Sequence, residues 1–233
     1  MKMVEITNKD YDKNILKEGE EFQIDNYYEP KAADMKRRVI YVMSKLMVAP
    51  LMKVLDLGCG VGTFAFRSAK AGAMAYGVDY SEESINMARK LCEKFNVKPD
   101  FIAADTAKTL PYDDNYFDRI ACVDFIEHIS DENKVQLLKE IKRILKPGGI
   151  AVIYTPNNMR EKIGEIIMRL LRRYKENPLH FGLIYRRKFE RMMKSEEISF
   201  TTSYFDPGRP YLAYIPLFRG ALALNLLWTI RKK

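Results

Sequence analysis

Val54-Leu55-Asp56-Leu57-Gly58-Cys59-Gly60-Val61-Gly62 reads as a buried strand that breaks directly into a glycine-rich turn. Apolar residues from Met52 to Leu57 supply the strand, and Thr63 to Ala71 follow with helical composition and small side chains. Glycines at 58, 60 and 62 let the chain turn sharply, let backbone N–H groups approach a ligand, and let the next helix pack close to the strand. A nucleotide-like ligand is implied. Dinucleotide oxidoreductases and plain tight turns share this feature, so the flanking elements must decide.

Those elements come in a regular order. A second strand, Ala73 to Val78, runs into Asp79 and Tyr80, and Ser81-Glu82-Glu83-Ser84 then carries a helix-start signature with Ser81 as cap. An acid at that strand end can accept both hydroxyls of a ribose. A third strand, Pro99 to Ala103, leads to Asp105 and Thr106, where a carboxylate can receive an adenine amino group. Tyr116 to Val123 forms a fourth strand, Glu132 to Leu145 a helix, Lys146-Pro147-Gly148-Gly149 a stop, and Ile150 to Tyr154 a fifth strand. Ahead of the turn, Lys31 to Val48 is helical, with Ala32, Met35, Val39, Val42, Met43 and Leu46 on one face. At the far end, Leu224 to Arg231 is the last strand, paired antiparallel with Ile198 to Phe205 at the sheet edge.

LDLGCGVG, GVDYS, AADTAKTLPYDDNYFD, CVDFIEHI and LKPGG, in this order between Val54 and Asn157, resemble the class I S-adenosylmethionine-dependent methyltransferases. A dehydrogenase would close its turn as G-x-G-x-x-G and is not expected to carry LKPGG. The resemblance implies an α/β fold with a Rossmann-like seven-stranded sheet, helices on both faces and an antiparallel last strand. It implies S-adenosyl-L-methionine as cofactor, bound by Asp56, Gly58, Cys59, Gly60, Gly62, Asp79, Tyr80, Asp105, Thr106 and Asp124. One domain over 1–233 accommodates this: a cap-helix region at 1–50, a cofactor-binding core at 51–156, and a substrate-covering basic and apolar region with the last strands at 157–233. In such enzymes the segment before the turn folds over the cofactor, which makes Tyr27 or Tyr28 a candidate to close the site and half-buried anchoring the plainer role.

A narrower resemblance follows. CVDFIEHI, then TPNN, a basic amphipathic segment and a downstream histidine look like the ubiquinone-biosynthesis O-methyltransferases, which act on a catechol-like ring bearing a prenyl tail. In some of these, and in small-RNA 2′-O-methyltransferases, an E-x-x-E-H motif holds a divalent metal. Here Asp124 replaces the first Glu, and the same E-H pair occurs in related enzymes without metal. The expectation is therefore no metal, with Asp124, Glu127 and His128 as the set that would hold one.

Methyl transfer from a sulfonium mainly requires positioning and exclusion of water, and a hydroxyl acceptor also needs a proton acceptor. The chain has only two histidines. His128, beside Glu127, follows the fourth strand, and His180 follows the amphipathic segment, so His128, Glu127 and His180 are the catalytic candidates. The plain alternative for a strand-end histidine is a hydrogen-bonded structural role.

Charge is unevenly distributed. Residues 157–233 hold 16 Lys and Arg against 7 Asp and Glu, whereas 1–156 hold 23 against 24. Within 157–233, Met159, Ile163, Ile166, Ile167, Leu170, Leu171 and Tyr174 recur at helical spacing among basic residues, and Pro210 to Phe218 is aromatic and apolar. Neither segment reaches the roughly 20 apolar residues of a spanning helix. A basic apolar cover resting on an anionic membrane surface fits them, as does a helix docked on its own core. Three widely spaced cysteines point to free thiols in a reducing cytoplasm, and from the charged opening of the chain no signal peptide is expected. The expected partner is a small-molecule acceptor, hydrophobic or lipid- or quinone-like, with no DNA. An RNA methyltransferase is the alternative, favoured only by basicity, and a non-catalytic cofactor-binding protein is the third class.

Overall fold

The computed structural model describes residues 17–106, 108–158, 184–206 and 223–233, together with Lys162 and Leu170. A π-helical turn at Ile24–Tyr28 opens onto helix α1 (Ala33–Leu46), and then strands and helices alternate: β1 (Lys53–Leu57), α2 (Thr63–Lys70), β2 (Met74–Asp79), α3 (Glu82–Lys94), β3 (Asp100–Ala103) and β4 (Phe117–Val123). A 3-10 turn at Ile126–His128 precedes α4 (Asp131–Ile144), β5 (Leu145–Pro156), α5 (Arg186–Ser195), β6 (Phe200–Phe205) and β7 (Asn225–Arg231).

The strands form one seven-stranded sheet in the order β3-β2-β1-β4-β5-β7-β6. β1 to β5 are mutually parallel, and β7 is antiparallel to both β5 and β6. The expected antiparallel pair at the sheet edge is thus present. Parallel strands covered on both faces read as continuous apolar runs, and β5 shows why. Ala151 and Ile153 enter one core with Leu137, Leu138 and Ile141 of α4 and Phe189 of α5. Ile150, Val152 and Tyr154 enter the opposite core with Val42 and Leu46 of α1 and Phe64 of α2. α3 packs through Ile85, Ala88 and Leu91 against Phe66 of α2 and Phe101 of β3.

The helix stops where Lys146–Gly149 predicts, at Ile144, but β5 starts earlier than the expected Ile150: it begins at Leu145, which pairs with Phe117, and the register shifts between Phe117 and Arg119. The glycines are held in the sheet because Gly148 N–H donates to the Lys232 carbonyl at 2.8 Å and Gly149 accepts from Lys232 N–H at 3.2 Å. On α1, Val39, Val42 and Leu46 are buried as the stripe predicts, whereas Ala32 precedes the helix and is exposed.

From β1 the chain steps outward to β2 and β3, then returns across the sheet to place β4 on the other side of β1. Ligands in open α/β sheets bind at such a reversal, beyond the carboxyl ends of the strands. The turn after β1 and the loop after β4 flank it.

Candidate functional site

The turn is built on contacts that require glycine. Gly58 and Cys59 N–H groups both donate to the Val78 carbonyl, at 2.8 and 2.9 Å, which ties the end of β1 to β2. Gly58 has φ +70°, and a Cβ there would lie 2.3 Å from the Phe125 ring. The turn and the loop after β4 therefore touch across the reversal. Gly60, at φ +49°, has nothing within 4 Å of the place a Cβ would occupy, so its backbone faces open space. Gly62 precedes the first turn of α2 and donates to Cys59. Cys59 is buried, and burial pushes its thiol well above the ordinary range, so it offers backbone rather than thiolate.

Two carboxylates brace this turn. Asp56 is 2% exposed, and one of its oxygens accepts the N–H groups of Phe64 at 2.9 Å and Ala65 at 3.0 Å, holding the start of α2. The structure thus gives Asp56 a part in shaping the turn through the α2 N-terminus. Burial raises its carboxyl to about 7, against the pull of those two hydrogen bonds and with the help of Asp79. A carboxyl raised on folding contributes stability below its ordinary value of about 3.9 and loses it as pH rises through about 7. Denaturant titrations are expected to show this share of stability falling by about 2–3 kcal/mol from pH 5 to pH 8. Asp56→Asn should flatten the profile, and an unchanged profile would contradict the assignment.

Asp79, 7% exposed at the end of β2, accepts Gly60 N–H at 2.8 Å through one oxygen and Ser81 N–H at 3.0 Å through the other. Ser81 in turn caps α3 by accepting Ser84 N–H at 3.0 Å. Tyr80 is half-buried beside them. Ala104 N–H donates to the Asp79 carbonyl at 2.8 Å, which sets the loop after β3 next to this acid. On that loop Thr106 is buried, and the exposed Asp105 pairs with Lys108 at 3.3 Å.

On the other side of the reversal, Asp124 takes the left-handed conformation, φ +51°, and donates its N–H to the Tyr154 carbonyl at 2.9 Å. Its carboxylate pairs with Arg38 of α1. Sequence reasoning missed Arg38, and its one local signal is a basic residue bordering the apolar stripe at Val39 and Val42. Its Nε and the Tyr154 hydroxyl are buried without a hydrogen-bond partner among the described residues. Glu127 is 1% exposed and accepts a 2.8 Å hydrogen bond from Thr155. Burial, then the neighbouring Asp124, pushes its carboxyl up to about 8. His128 is half-buried, with its N–H on the Phe125 carbonyl at 2.9 Å.

Gly58, Gly60, Asp79, Asp124, Glu127 and His128 are thus brought to one end of the sheet. His180, Met159 to Tyr174 apart from Lys162 and Leu170, and Pro210 to Phe218 lie outside the described residues. Among the described residues no group of three His, Cys, Asp or Glu is placed to hold a metal ion; Asp124 faces Arg38 and Glu127 faces Thr155. No helix among them is long and apolar enough to cross a membrane. Tyr28 is an anchor: its hydroxyl donates to the Val61 carbonyl at 2.7 Å and its ring packs on Phe66 at 4.4 Å. Tyr27 is half-buried, and Arg38 and Asp124 are among the charges it senses.

Residues 54–149 match the family model described as "Methyltransferase domain". The chain is 30% identical over 135 residues to a ubiquinone biosynthesis O-methyltransferase of Bordetella avium, covering 55% of each protein. It is 34% identical over 139 residues to cycloartenol-C-24-methyltransferase 1 of Oryza sativa subsp. japonica, covering 55% of this chain and 40% of that protein. The chain spans about half the length of the curated relatives it matches. In fold it is similar to phosphoethanolamine N-methyltransferase 2 of Haemonchus contortus in complex with S-adenosyl-L-methionine, with a TM-score of 0.70 and 15% identity over 97% of this chain and 60% of that one.

Proposed function

We propose, from residues 54–149 being a class I S-adenosylmethionine-dependent methyltransferase domain, that the whole protein transfers a methyl group to an oxygen of a small hydrophobic acceptor of lipid or quinone type. The observation that carries this reading is the contact of Gly58 with Phe125, which sets the glycine turn against the loop bearing Asp124, Glu127 and His128. The residues present fit the cofactor. Open space over Gly60 admits a ligand to the backbone, Asp79 offers carboxylate oxygens to a ribose, and the buried Arg38 Nε, without a partner among the described residues, is a donor for a ligand carboxylate. When bound, S-adenosylmethionine supplies a methyl group already activated on a sulfonium.

The chain then has three tasks. It orients the acceptor, keeps water out, and takes the hydroxyl proton. Glu127 is buried and stays largely protonated at neutral pH, so it shapes the loop, and the half-exposed His128 ring is the better proton acceptor. Relatives that carry "ubiquinone biosynthesis" and "cycloartenol" in their names support a hydrophobic acceptor. The basic surplus of residues 157–233 supports delivery from an anionic lipid surface. His128→Ala is expected to lower turnover about 10²-fold or more while leaving the Kd for S-adenosylmethionine within a few-fold. Single-turnover assays with a catechol acceptor, paired with calorimetry, check this. A fully active variant would remove His128 from the reaction.

A further inference from the structure

Lys134, near the start of α4, has no solvent exposure at all. A lysine is rarely so deep unless its charge is compensated. Here the ammonium donates to the Ile129 carbonyl at 2.7 Å and reaches one oxygen of Asp131 at 3.3 Å. Ile129 directly follows His128, and the next residue, Ser130, caps α4 by accepting Asn133 N–H at 3.3 Å. The lysine thus grips the loop one residue past the candidate proton acceptor. The other oxygen of Asp131 pairs with Lys188 on α5. α5 begins at Arg186 and belongs to the basic stretch 157–233. Four groups on three elements are linked: the Ile129 carbonyl on the loop, Lys134 and Asp131 on α4, and Lys188 on α5.

We propose that Lys134 is a positioning residue for methyl transfer, clamping the Ile129 carbonyl so that the Glu127–His128 loop keeps a fixed distance from the acceptor, with Asp131 and Lys188 tying that clamp to α5. This rests on the functional reading of His128. A charged donor holding a backbone carbonyl in a dry site is stronger than a neutral one and fixes the atoms beside it. Misplacing a catalytic group by even 1 Å can lower turnover about 10²-fold. Burial lowers the Lys134 ammonium from its ordinary value, and Asp131 opposes that shift.

The test uses the full chain carrying Lys134→Met, which removes the charge and keeps the stem. Hydrogen exchange of amides 126–130 should quicken at least tenfold while β1 and β2 stay protected. With catechol as acceptor, kcat should fall at least tenfold with the KM for S-adenosylmethionine within threefold. A role confined to packing would leave kcat unmoved in the folded fraction. Unchanged exchange at 126–130 overturns the clamp, and faster exchange with kcat within twofold of wild type overturns its part in the reaction. Should Lys134→Met not fold, Lys188→Ala, at a half-exposed side chain, should quicken the same amides two- to fivefold, and no change there counts against the clamp. If wild type does not methylate catechol, or His128→Ala is as active as wild type, the functional reading fails instead, and the exchange measurement still decides the clamp.

Discussion

Replacing Gly58 with alanine is expected to cost about 2–5 kcal/mol of stability and to remove tight cofactor binding, from left-handed strain of about 1–2 kcal/mol and overpacking of about 1–3 kcal/mol. The first term comes from φ +70°, which an L side chain resists. The second comes from the Phe125 ring, 2.3 Å from the new Cβ, which must move or push the turn away. Because Gly58 and Cys59 N–H groups hold the turn to Val78, displacement also strips the support under Gly60. A double-mutant cycle separates the terms. Gly58→Ala with Phe125→Ala should destabilise less than the sum of the two singles, since the ring that the methyl strikes is gone. Strict additivity in denaturant titrations would mean that the contact between the turn and the β4 loop does not shape the site.

The second large effect is at Asp79. Its two oxygens hold Gly60 and Ser81, and the same carboxylate is placed to take the ribose. Asp79→Ala should weaken S-adenosylmethionine binding by about 3 kcal/mol or more, on the order of a hundredfold in Kd, because hydrogen bonds to a charged acceptor are worth about 1.5–3 kcal/mol each. Asp79→Asn keeps an acceptor and loses the charge, so its Kd should fall between. Calorimetry on both variants checks this, with circular dichroism to show that the fold persists. Cofactor affinity equal to wild type in Asp79→Ala would remove the assignment.

Local chemistry made the core legible. The run into Gly58–Gly62, the acid ending β2 and the Ser81 cap announce themselves by adjacent residues, and strands β1 to β4, β6 and β7 stand within a few residues of where the sequence places them, whereas helix α5 was not read from the sequence. Tertiary partners were harder to see. Asp56 sits in the diagnostic motif and reads as a ligand residue, yet its bonds go to Phe64 and Ala65, eight and nine residues on. Arg38 meets Asp124 across 86 residues, and no periodicity in α1 marks it. Lys134 looks like any helix-surface lysine until the Ile129 carbonyl is found above it. The early start of β5 was hidden for a similar reason, since Gly148 and Gly149 are held by Lys232 at the far end of the chain.

The most direct test is a crystal structure with S-adenosylhomocysteine bound. The account predicts the ligand in the cleft between the Gly58–Gly62 turn and the Asp124–His128 loop, with its ribose on Asp79, its adenine beside Asp105 and Thr106, and its sulfur facing His128. A ligand seated elsewhere on the sheet, or a ribose that does not touch Asp79, would contradict it.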